Sequence, residues 1–454
     1  MNTLHVDLDL IRKYNVPAPR YTSYPPATRF AEMPAETVLE RIRANYQSKR
    51  DLSLYFHLPF CQSLCWFCGC TTVITTKQEA SANYLDYLDR EIAFMAKMLN
   101  PKRKVAQLHF GGGTPTFLKP DEIRRLGQRI RSHFTYAQDI EAGVEIDPRR
   151  VVRDHITALR ESGFNRASLG VQDFNPAVQQ AIHRIQSKEE TEQTIQWLRE
   201  DGFISLNIDL IYGLPHQTVR SFEQTLEDVI QLKPDRFAVF NYAHVPWLKP
   251  AQNILKALPT PEVKLEMLKH TIEHLTSRGY VYIGMDHFAR HDDELAVAQR
   301  NKTLQRNFQG YSTRGETDIY AFGMSSISQA NDAYWQNQKE LPKYYSALDS
   351  DQSPISRGYF LTDDDKIRRQ VIMRLMCDMS LDFVSLSEII GVDFTRYFSA
   401  ELNSLSDLEA DGLIATNKHG LIVTELGRLL IRNIAVRFDA YNAKRKESEF
   451  SKSI

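Results

Sequence analysis

The sequence from Tyr55 to Cys70 reads Y-F-H-L-P-F-C-Q-S-L-C-W-F-C-G-C and holds four of the chain's five cysteines. Three of them, Cys61, Cys65 and Cys68, form the spacing C-x3-C-x2-C directly after a strand predicted over 52–57. Thiolates are soft ligands that suit iron–sulfur clusters. Three cysteines can hold three corners of a four-iron cubane and leave the fourth iron open to bind and activate another molecule. The spacing therefore favours a metal centre over cysteines that only pack in a core.

Other uses of clustered cysteines fit this pattern less well. A structural zinc site usually pairs two C-x2-C units across a longer gap, and the sequence has no second unit. A ferredoxin-type site needs a distant fourth cysteine, for which only Cys377 remains. Disulfides are disfavoured because the sequence shows no secretory signal. Cys70 follows Cys68 too closely for easy ligation of the same cubane, so we expect it to pack beside the cluster, and we expect Cys377 to be a core residue.

Composition and charge exclude some classes of function. Hydrophobic residues make up 42% and charged residues 25% of the 454 residues, and the formal net charge is −1. This balance gives no electrostatic argument for binding nucleic acid or an anionic membrane. No apolar run is long enough to span a bilayer, and the first residues lack the features of a signal peptide. We expect a cytoplasmic protein with no nucleic-acid or membrane partner.

From Leu52 onward, short apolar segments alternate with amphipathic ones. The apolar segments predict strands over 52–57, 105–110, 142–147, 166–171, 205–212, 237–242 and 281–285. The amphipathic segments predict helices over 81–99, 121–134, 154–162, 187–200, 219–231 and 261–278. This alternation favours parallel strands covered by helices, in a barrel or open barrel. Such a fold gathers its chemistry at the carboxyl ends of the strands.

Glycine-rich or polar motifs follow five successive predicted strands, the second to the sixth. They are Gly111-Gly112-Gly113-Thr114-Pro115, Glu145-Ile146-Asp147-Pro148, Gly170-Val171-Gln172-Asp173, the stretch 207–215, and Asn241-Tyr242-Ala243-His244. Any one of these motifs alone is read more simply as a turn or a helix cap. Five in succession, together with the cysteine motif after the first strand, favour a pocket.

Three regions lie outside the alternating pattern. Residues 1–48 predict an extension with a short helix over 7–14 and a proline-rich segment over 17–26, which either packs on the surface or covers an active site. Residues 284–313 are too polar for a core and too irregular for one helix, so a substrate-facing loop and a surface excursion are equally plausible. A boundary is expected within 350–362, before a C-terminal domain.

The C-terminal domain is expected to be mostly helical. Its sequence predicts helices over 365–378, 385–390, 394–410 and 425–436, and a hairpin formed by 413–416 and 421–424. Helices with such a hairpin suggest a winged-helix shape. No dense basic stripe accompanies it, so we expect a domain that packs against the barrel rather than one that binds nucleic acid.

The chain resembles the oxygen-independent coproporphyrinogen III oxidases, a family of radical S-adenosylmethionine enzymes. The resemblance covers nearly the whole chain and is carried by the strings at 19–25, 55–70, 111–116, 170–175, 207–215, 240–244, 284–290 and 307–311. It implies an α/β fold with an incomplete (β/α)6 barrel. The implied division is an N-terminal extension or lid (1–48), the barrel (49–355) and a mostly helical, winged-helix-like C-terminal domain (356–454).

The same resemblance implies the cofactors and the residues that hold them. A [4Fe-4S] cluster would be bound by Cys61, Cys65 and Cys68, with S-adenosylmethionine on its open iron. The family positions around this first S-adenosylmethionine correspond to Tyr55, Phe67, Gly112, Glu145 and Ile327. A second S-adenosylmethionine site corresponds to Gly113, Thr114, Gln172, Arg184, Asp209 and Ala243. There, Arg184 would pair with the carboxylate of the cofactor and Asp209 with its ammonium group.

The implied reaction is the anaerobic oxidative decarboxylation of two propionates of coproporphyrinogen III to vinyl groups through a 5′-deoxyadenosyl radical, giving protoporphyrinogen IX in haem biosynthesis. The implied partners are this substrate and an electron donor such as a flavodoxin or ferredoxin, and the implied state is a monomer. Two alternatives share the cluster: a haem-carrying relative and a radical methyltransferase acting on a tetrapyrrole. Haem-carrying relatives are shorter and tend to lack the Cys70 position and the C-terminal domain, and product mass distinguishes methylation from decarboxylation.

Overall fold

The computed structural model describes residues 3–442 and is built around one sheet of thirteen strands. Six neighbouring strands run parallel in chain order: β1 (Leu52–Leu58), β2 (Lys104–Gly112), β3 (Thr135–Ile146), β4 (Arg166–Gln172), β5 (Ser205–Tyr212) and β6 (Arg236–Asn241). Each is followed by a helix: α1 (Glu79–Ala96), α2 (Pro120–His133), α3 (Arg153–Glu161), α4 (Lys188–Glu200), α5 (Val219–Gln231) and α6 (Pro261–Ser277). The α/β fold predicted from the alternation is confirmed.

Local sequence explains why these elements form. In α5 the side chain of Thr218 accepts a hydrogen bond from the backbone N–H of Ser221 and caps the helix. Phe222, Leu226 and Val229 recur at helical spacing and are buried against the sheet. β1 is buried on both faces, and its near-continuous apolar run is what a parallel sheet beneath helices requires.

The sheet extends beyond β1 into a region for which the sequence pattern predicts no strands. Asp318–Phe322 pairs parallel to β1, and the antiparallel strands Ile327–Gln329, Ala333–Asn337, Ile355–Phe360 and Ala31–Glu32 follow outward. The buried carboxylate of Glu91 on α1 holds this extension, because it accepts hydrogen bonds from Tyr344 (2.7 Å), Asn337 (2.6 Å) and the backbone N–H of Gly323 (2.8 Å).

At the other edge of the sheet, the strand predicted over 281–285 is present but is antiparallel to its neighbour, not parallel as predicted. Tyr280–Gly284 lies outermost and pairs antiparallel with His287–Arg290, which itself pairs with β6. The chain reverses at Met285 and Asp286, whose φ values of 46° and 73° are left-handed. This tight turn places the second strand of the hairpin beside β6. Within the described residues the two edges of the sheet are not paired to each other.

Residues 284–313 contain more regular secondary structure than the substrate-facing loop or surface excursion expected for them. Besides the strand His287–Arg290, they form the helix Glu294–Arg300 and a hairpin of Gln305–Asn307 and Gly310–Ser312. Polar side chains here are buried, Arg306 at 7% exposure among them. The polarity of this stretch, which indicates a loop, is explained by its position: His287, Gln309 and Tyr311 line the cavity described below.

Most members of the second large group of buried apolar residues lie in the C-terminal region, and the others come from 14–24 and 283–311. The C-terminal region contains the helices Asp363–Asp378, Phe383–Ile390, Phe394–Tyr397, Ser399–Asn403, Ser406–Ala410, Glu425–Arg428 and Ile431–Ala435, and the strands Ser380–Asp382, Ile414–Asn417 and Gly420–Val423. The predicted hairpin is present, whereas the helices predicted over 394–410 and 425–436 are each broken into short pieces. The breaks let Phe394, Phe398 and Leu408 all enter the core.

The N-terminal segment packs on this C-terminal region. After the helix Leu8–Tyr14, Tyr21 and Tyr24 are almost completely buried. The Tyr21 hydroxyl donates to Asp439 at 2.9 Å, and Arg432 donates to the carbonyl of Pro19 at 3.1 Å. The remaining helices are Ala35–Ala44, Pro176–Ala181 and Leu341–Asp349. Across residues 3–442, every helix is too short or too polar to cross a bilayer.

Candidate active site

The cysteine loop leaves the carboxyl end of β1 and is closed at its base. Phe60–Cys61 and Val73–Ile74 pair as two short parallel strands. Within the loop, the N–H of Cys68 donates to the carbonyl of Cys65 at 3.0 Å. Cys61, Cys65 and Cys68 are half-buried, whereas Cys70 is exposed. Although Cys70 is more exposed than the other three residues, it lines the same cavity, so all four cysteines lie together.

Each of the three thiols has a polar neighbour. The sulfur of Cys61 lies 3.3 Å from the Thr114 hydroxyl, and Arg149 and Arg184 each place a guanidinium nitrogen 3.6 Å from the sulfur of Cys65. Burial raises the pKa of Cys61 to about 11, while the hydrogen bond from Cys70 lowers the pKa of Cys68 to about 6. A positive, hydrogen-bond-donating environment around sulfur suits thiolate ligands, which must lose their protons to bind metal.

The thiols open into a cavity of about 460 Å³. The predicted site residues that line it are Cys61, Cys65, Phe67, Cys68, Gly112, Gly113, Thr114, Glu145, Gln172, Arg184 and Asp209. They come from the loop and from the carboxyl ends of successive parallel strands. The cavity thus lies where a parallel α/β sheet is expected to bind its ligands.

The glycines after β2 are required by close contacts. A Cβ on Gly112, whose φ is 112°, would lie 2.6 Å from the imidazole of His57, and one on Gly113 would lie 2.5 Å from the backbone of Pro59. The N–H of Gly112 donates to the Glu145 carboxylate at 3.2 Å. Glycine therefore allows this backbone to pass between β1 and the cavity.

Glu145 on β3 keeps a lowered pKa although it lies in the cavity wall. Burial raises its pKa, but the hydrogen bond with His109 (3.5 Å) and the N–H of Gly112 outweigh burial, so the net shift is downward. The ring of Tyr55 stacks on His109 with ring centroids 5.8 Å apart. Tyr55 thus supports the wall of the cavity from behind through His109.

Asp209 on β5 lies deeper in the cavity. It accepts hydrogen bonds from the Ser168 hydroxyl at 2.9 Å and the Asn207 amide at 2.7 Å. Burial raises the pKa of Asp209 to about 7, and the nearby Glu145 carboxylate adds to the rise. Both hydrogen-bond donors to Asp209 are neutral groups, so a cationic ligand group would be attracted to this carboxylate.

Asp147, at the end of β3, contrasts with Asp209. Burial raises its pKa, but Arg184 at 3.2 Å and Arg149 at 2.6 Å prevail and lower it to about 2. Arg184 also donates to the carbonyl of Gly170 at 2.6 Å. The cavity consequently has a cationic side near Cys65 and an anionic side near Asp209.

Three of the predicted cofactor residues lie outside the cavity lining. Tyr55 is behind His109, as described above. The carbonyl of Ala243 accepts from Gln252 at 3.3 Å, and the same amide donates to the carbonyl of Phe67 at 3.1 Å, so Ala243 lies behind the cysteine loop. Ile327 packs in a small cluster with Phe30 and Tyr334.

The cavity also contains residues that sequence reasoning did not select. They are His109, Asp147, Arg149, Ser168, Asn207, His287, Gln309 and Tyr311. Asp147 and Asn207 lie in motifs that follow or end predicted strands, and Tyr311 lies in the string 307–311, although none of the three was given a role. Arg149 and Ser168 carry no comparable signal, because only tertiary contacts bring them to the cavity.

Comparison with known proteins agrees with this geometry. Residues 55–229 match the model of the radical SAM superfamily, and residues 361–430 match the HemN C-terminal domain. The chain is 48% identical to the oxygen-independent coproporphyrinogen III oxidase of Synechocystis sp. over 100% of this chain and 99% of that protein. It is 48% identical to the Escherichia coli protein of that name over 99% and 98%.

A solved structure adds the fold. Coproporphyrinogen III oxidase (HemN) from Escherichia coli, described as a radical SAM enzyme, superposes with a TM-score of 0.92 and 47% identity, covering 97% of this chain and 100% of that one. The fold and the three-thiol cavity thus define a radical S-adenosylmethionine enzyme, a class that uses a [4Fe-4S] cluster and S-adenosylmethionine. Within that class, the chain belongs to the oxygen-independent coproporphyrinogen III oxidase family. The family inferred from the resemblance of these sequence strings is confirmed.

Proposed function

We propose that this enzyme decarboxylates two propionate side chains of coproporphyrinogen III to vinyl groups without oxygen, giving protoporphyrinogen IX in haem biosynthesis. The proposal is carried by one observation: Cys61, Cys65 and Cys68 line the same cavity as Glu145 and Arg184, in a chain alignable end to end with relatives of that name. When bound, the cluster and S-adenosylmethionine would supply a 5′-deoxyadenosyl radical that takes a hydrogen atom from the β-carbon of a propionate, and loss of CO2 with transfer of one electron to an external acceptor would leave the vinyl group.

The residues present fit the cluster. Three half-buried thiols converge on one cavity, and Arg149 and Arg184 both approach the sulfur of Cys65. Cys61, Cys65 and Cys68 would hold the cluster, and the two guanidinium groups would offset the negative charge of the thiolates. Cys70, whose N–H donates to the Cys68 sulfur at 3.4 Å, would support that ligand without joining the set.

The first S-adenosylmethionine would be held beside the cysteine loop. Glu145 is an ionised acceptor suited to an ammonium group, and the backbone at Gly112 lets a ligand approach closely. Phe67 offers an apolar surface for the adenine ring. Tyr55, which supports His109, and Ile327, in its apolar cluster, would act from behind this site.

A second S-adenosylmethionine would occupy the deeper part of the same cavity. Gly113, Thr114, Gln172, Arg184 and Asp209 all line it, which supports this site, and Ala243 would contribute from behind the loop. The cation of Arg184 suits the carboxylate of the cofactor, and Asp209 suits its ammonium group, which would draw the Asp209 pKa downward.

The remaining proposals concern the setting of the reaction. A flavodoxin- or ferredoxin-type donor would supply the electron, and the protein would act as a monomer in the cytoplasm. We propose the division into 1–48, 49–355 and 356–454. Two groups of buried apolar residues support the second boundary, because most members of one lie within 49–355 and most members of the other within 356–454.

An anaerobic assay tests the function directly. Reconstituted, reduced protein is mixed with S-adenosylmethionine and coproporphyrinogen III, and mass spectrometry follows the tetrapyrrole and 5′-deoxyadenosine. We expect two successive losses of a carboxyl group with matching deoxyadenosine, and none with Cys65→Ala. Deoxyadenosine without decarboxylation would indicate that the enzyme acts on another substrate or is a haem-carrying relative. A gain in tetrapyrrole mass would indicate methylation.

A further inference from the structure

Two glutamates and two histidines face each other across α5 and α6, away from the cavity. Glu223 and Glu227 lie four residues apart on α5, and His270 and His274 lie four residues apart on α6, so each pair shares one helical face. The Nε2 atom of His270 is 3.1 Å from Oε1 of Glu223, and that of His274 is 2.9 Å from Oε1 of Glu227. The two helices thus present nitrogen and oxygen donors to a common space.

The histidine nitrogens are short of partners. The Nε2 atoms of both His270 and His274 are buried, yet neither makes a hydrogen bond, because the short contacts to the glutamates lack hydrogen-bond geometry. The two rings are nearly parallel, with an angle of 14° between them and centroids 5.8 Å apart. Burying such nitrogens without a partner is costly, and a bound cation would remove that cost.

Three of the donor atoms are close enough to share one ion. The ligand atoms of Glu223, His270 and His274 all lie within 4.8 Å of one another. Tetrahedral zinc with bonds of about 2.0–2.1 Å needs its ligand atoms roughly 3.4 Å apart. Small side-chain rotations would therefore close the set. Glu227 also pairs with Arg278, which leaves Glu223 as the better carboxylate ligand.

The chemistry of the donors selects the ion. Imidazole nitrogen with carboxylate suits zinc and neighbouring divalent transition metals, whereas magnesium and calcium prefer sets made only of oxygen. The side chain of His270 is 36% exposed and that of Glu223 is 42% exposed, so an ion can enter from solvent. The two carboxyl groups share one arginine, Arg278, which pairs with Glu227, so the local charge favours a cation.

We propose that Glu223, His270 and His274 bind one divalent ion of the zinc class, with a fourth position left for water or Glu227. The ion links α5 to α6, the helices that follow β5 and β6. It lies apart from the cysteine loop, since none of these residues lines the cavity. Its role is to hold the outer layer of the barrel together, behind the strand that carries Asp209.

Equilibrium dialysis of the cluster-loaded protein against buffered Zn²⁺, without oxygen, tests the site. Zinc and iron are measured together, so iron content reports that each variant is folded and loaded. We expect one zinc per chain in the wild type and in His419→Ala, a variant of an exposed histidine on the C-terminal hairpin. We expect at least a tenfold weaker affinity in the double variant His270→Gln and His274→Gln, and a weaker affinity in Glu223→Gln.

Thermal denaturation gives a second readout. Because an ion that binds only the folded state stabilises it, Zn²⁺ should raise the Tm of the wild type and leave that of the double variant unchanged. Equal zinc content in the wild type and the double variant would overturn the proposal, since it would locate the ion at other groups. Absence of bound zinc in the wild type at micromolar free Zn²⁺ would overturn it as well.

Discussion

The guanidinium group of Arg184 lies 3.2 Å from the carboxylate of Asp147, at the end of β3. The same group donates to the carbonyl of Gly170 at 2.6 Å and approaches the sulfur of Cys65 at 3.6 Å. One cation therefore connects two neighbouring strands of the parallel sheet to the cysteine loop. Its side chain is only 7% exposed, so these contacts are shielded from water and are stronger than they would be at a surface.

Replacing Arg184 should separate turnover from cluster binding. Arg184→Ala removes charge-assisted hydrogen bonds worth about 1.5–3 kcal/mol each, so we expect a ten- to hundredfold loss of turnover with iron content retained. Deoxyadenosine formation and iron analysis measure the two effects. Arg396→Ala, at an exposed position of the C-terminal region, is the control. Loss of iron in Arg184→Ala would show that this side chain is needed to hold the loop instead.

The cysteine loop predicts an unequal response among its four thiols. Single changes to alanine at Cys61, Cys65 and Cys68 should each abolish the broad visible absorption of the cluster, because a cubane bound by two thiolates is not retained. Cys70→Ala should keep most of it. Cys377→Ala, in the buried helix of the C-terminal region, serves as the control and should keep all of it. A full cluster in Cys65→Ala would contradict the assignment.

Asp209 predicts a pH-dependent stability. Its folded pKa of about 7 exceeds the ordinary value, so the folded protein holds the proton more tightly than the unfolded chain. The associated stabilisation is complete below about pH 4 and is lost as the pH rises through 7. Asp209→Asn removes this dependence. Between pH 5 and pH 8, the free energy of unfolding of the variant should rise relative to that of the wild type by on the order of 1–3 kcal/mol. This range allows for weakening of the effect by solvent in the cavity.

Thermal denaturation of cluster-loaded protein at the two pH values measures this difference. The exposed Asp51→Asn variant is the control, and its Tm should differ from that of the wild type by the same amount at pH 5 and pH 8. If the difference between Asp209→Asn and the wild type is the same at pH 5 and pH 8, Asp209 does not titrate in this range.

Glu91 predicts a stability effect remote from the cavity. Glu91→Ala leaves the hydroxyl of Tyr344, the amide of Asn337 and the N–H of Gly323 without their acceptor. Each buried donor left unpaired costs about 1–3 kcal/mol, so we expect a loss of roughly 3 kcal/mol or more. Burial raises the pKa of Glu91 to about 7, and the neutral Glu91→Gln should lose less.

Denaturant unfolding of the two variants measures the effect, with the exposed Glu79→Ala at the start of the same helix as the control. A change below about 0.5 kcal/mol in Glu91→Ala would mean that the three donors find other acceptors.

Much of the parallel sheet could be predicted because its signals are local. Each strand from β1 to β6 is a short apolar run followed by an amphipathic helix, and their bounds differ from the predictions by a few residues, with β3 starting earlier. The strands from Asp318 to Phe360 were missed because they are short and carry buried polar residues such as Gln336 and Asn337. Their polarity is satisfied by distant partners, Glu91 among them, which no window of sequence contains.

The sequence by itself determined the class of chemistry and the family. Three cysteines at fixed spacing and the glycine string at 111–113 are features that the local chain carries with it. Only the tertiary structure decided that Arg149 and Arg184 approach Cys65, that Asp147 and Asp209 have opposite pKa shifts, and that His270 and His274 meet Glu223. These depend on charge, burial and distance between residues far apart in the chain, and those quantities exist only once the chain has folded.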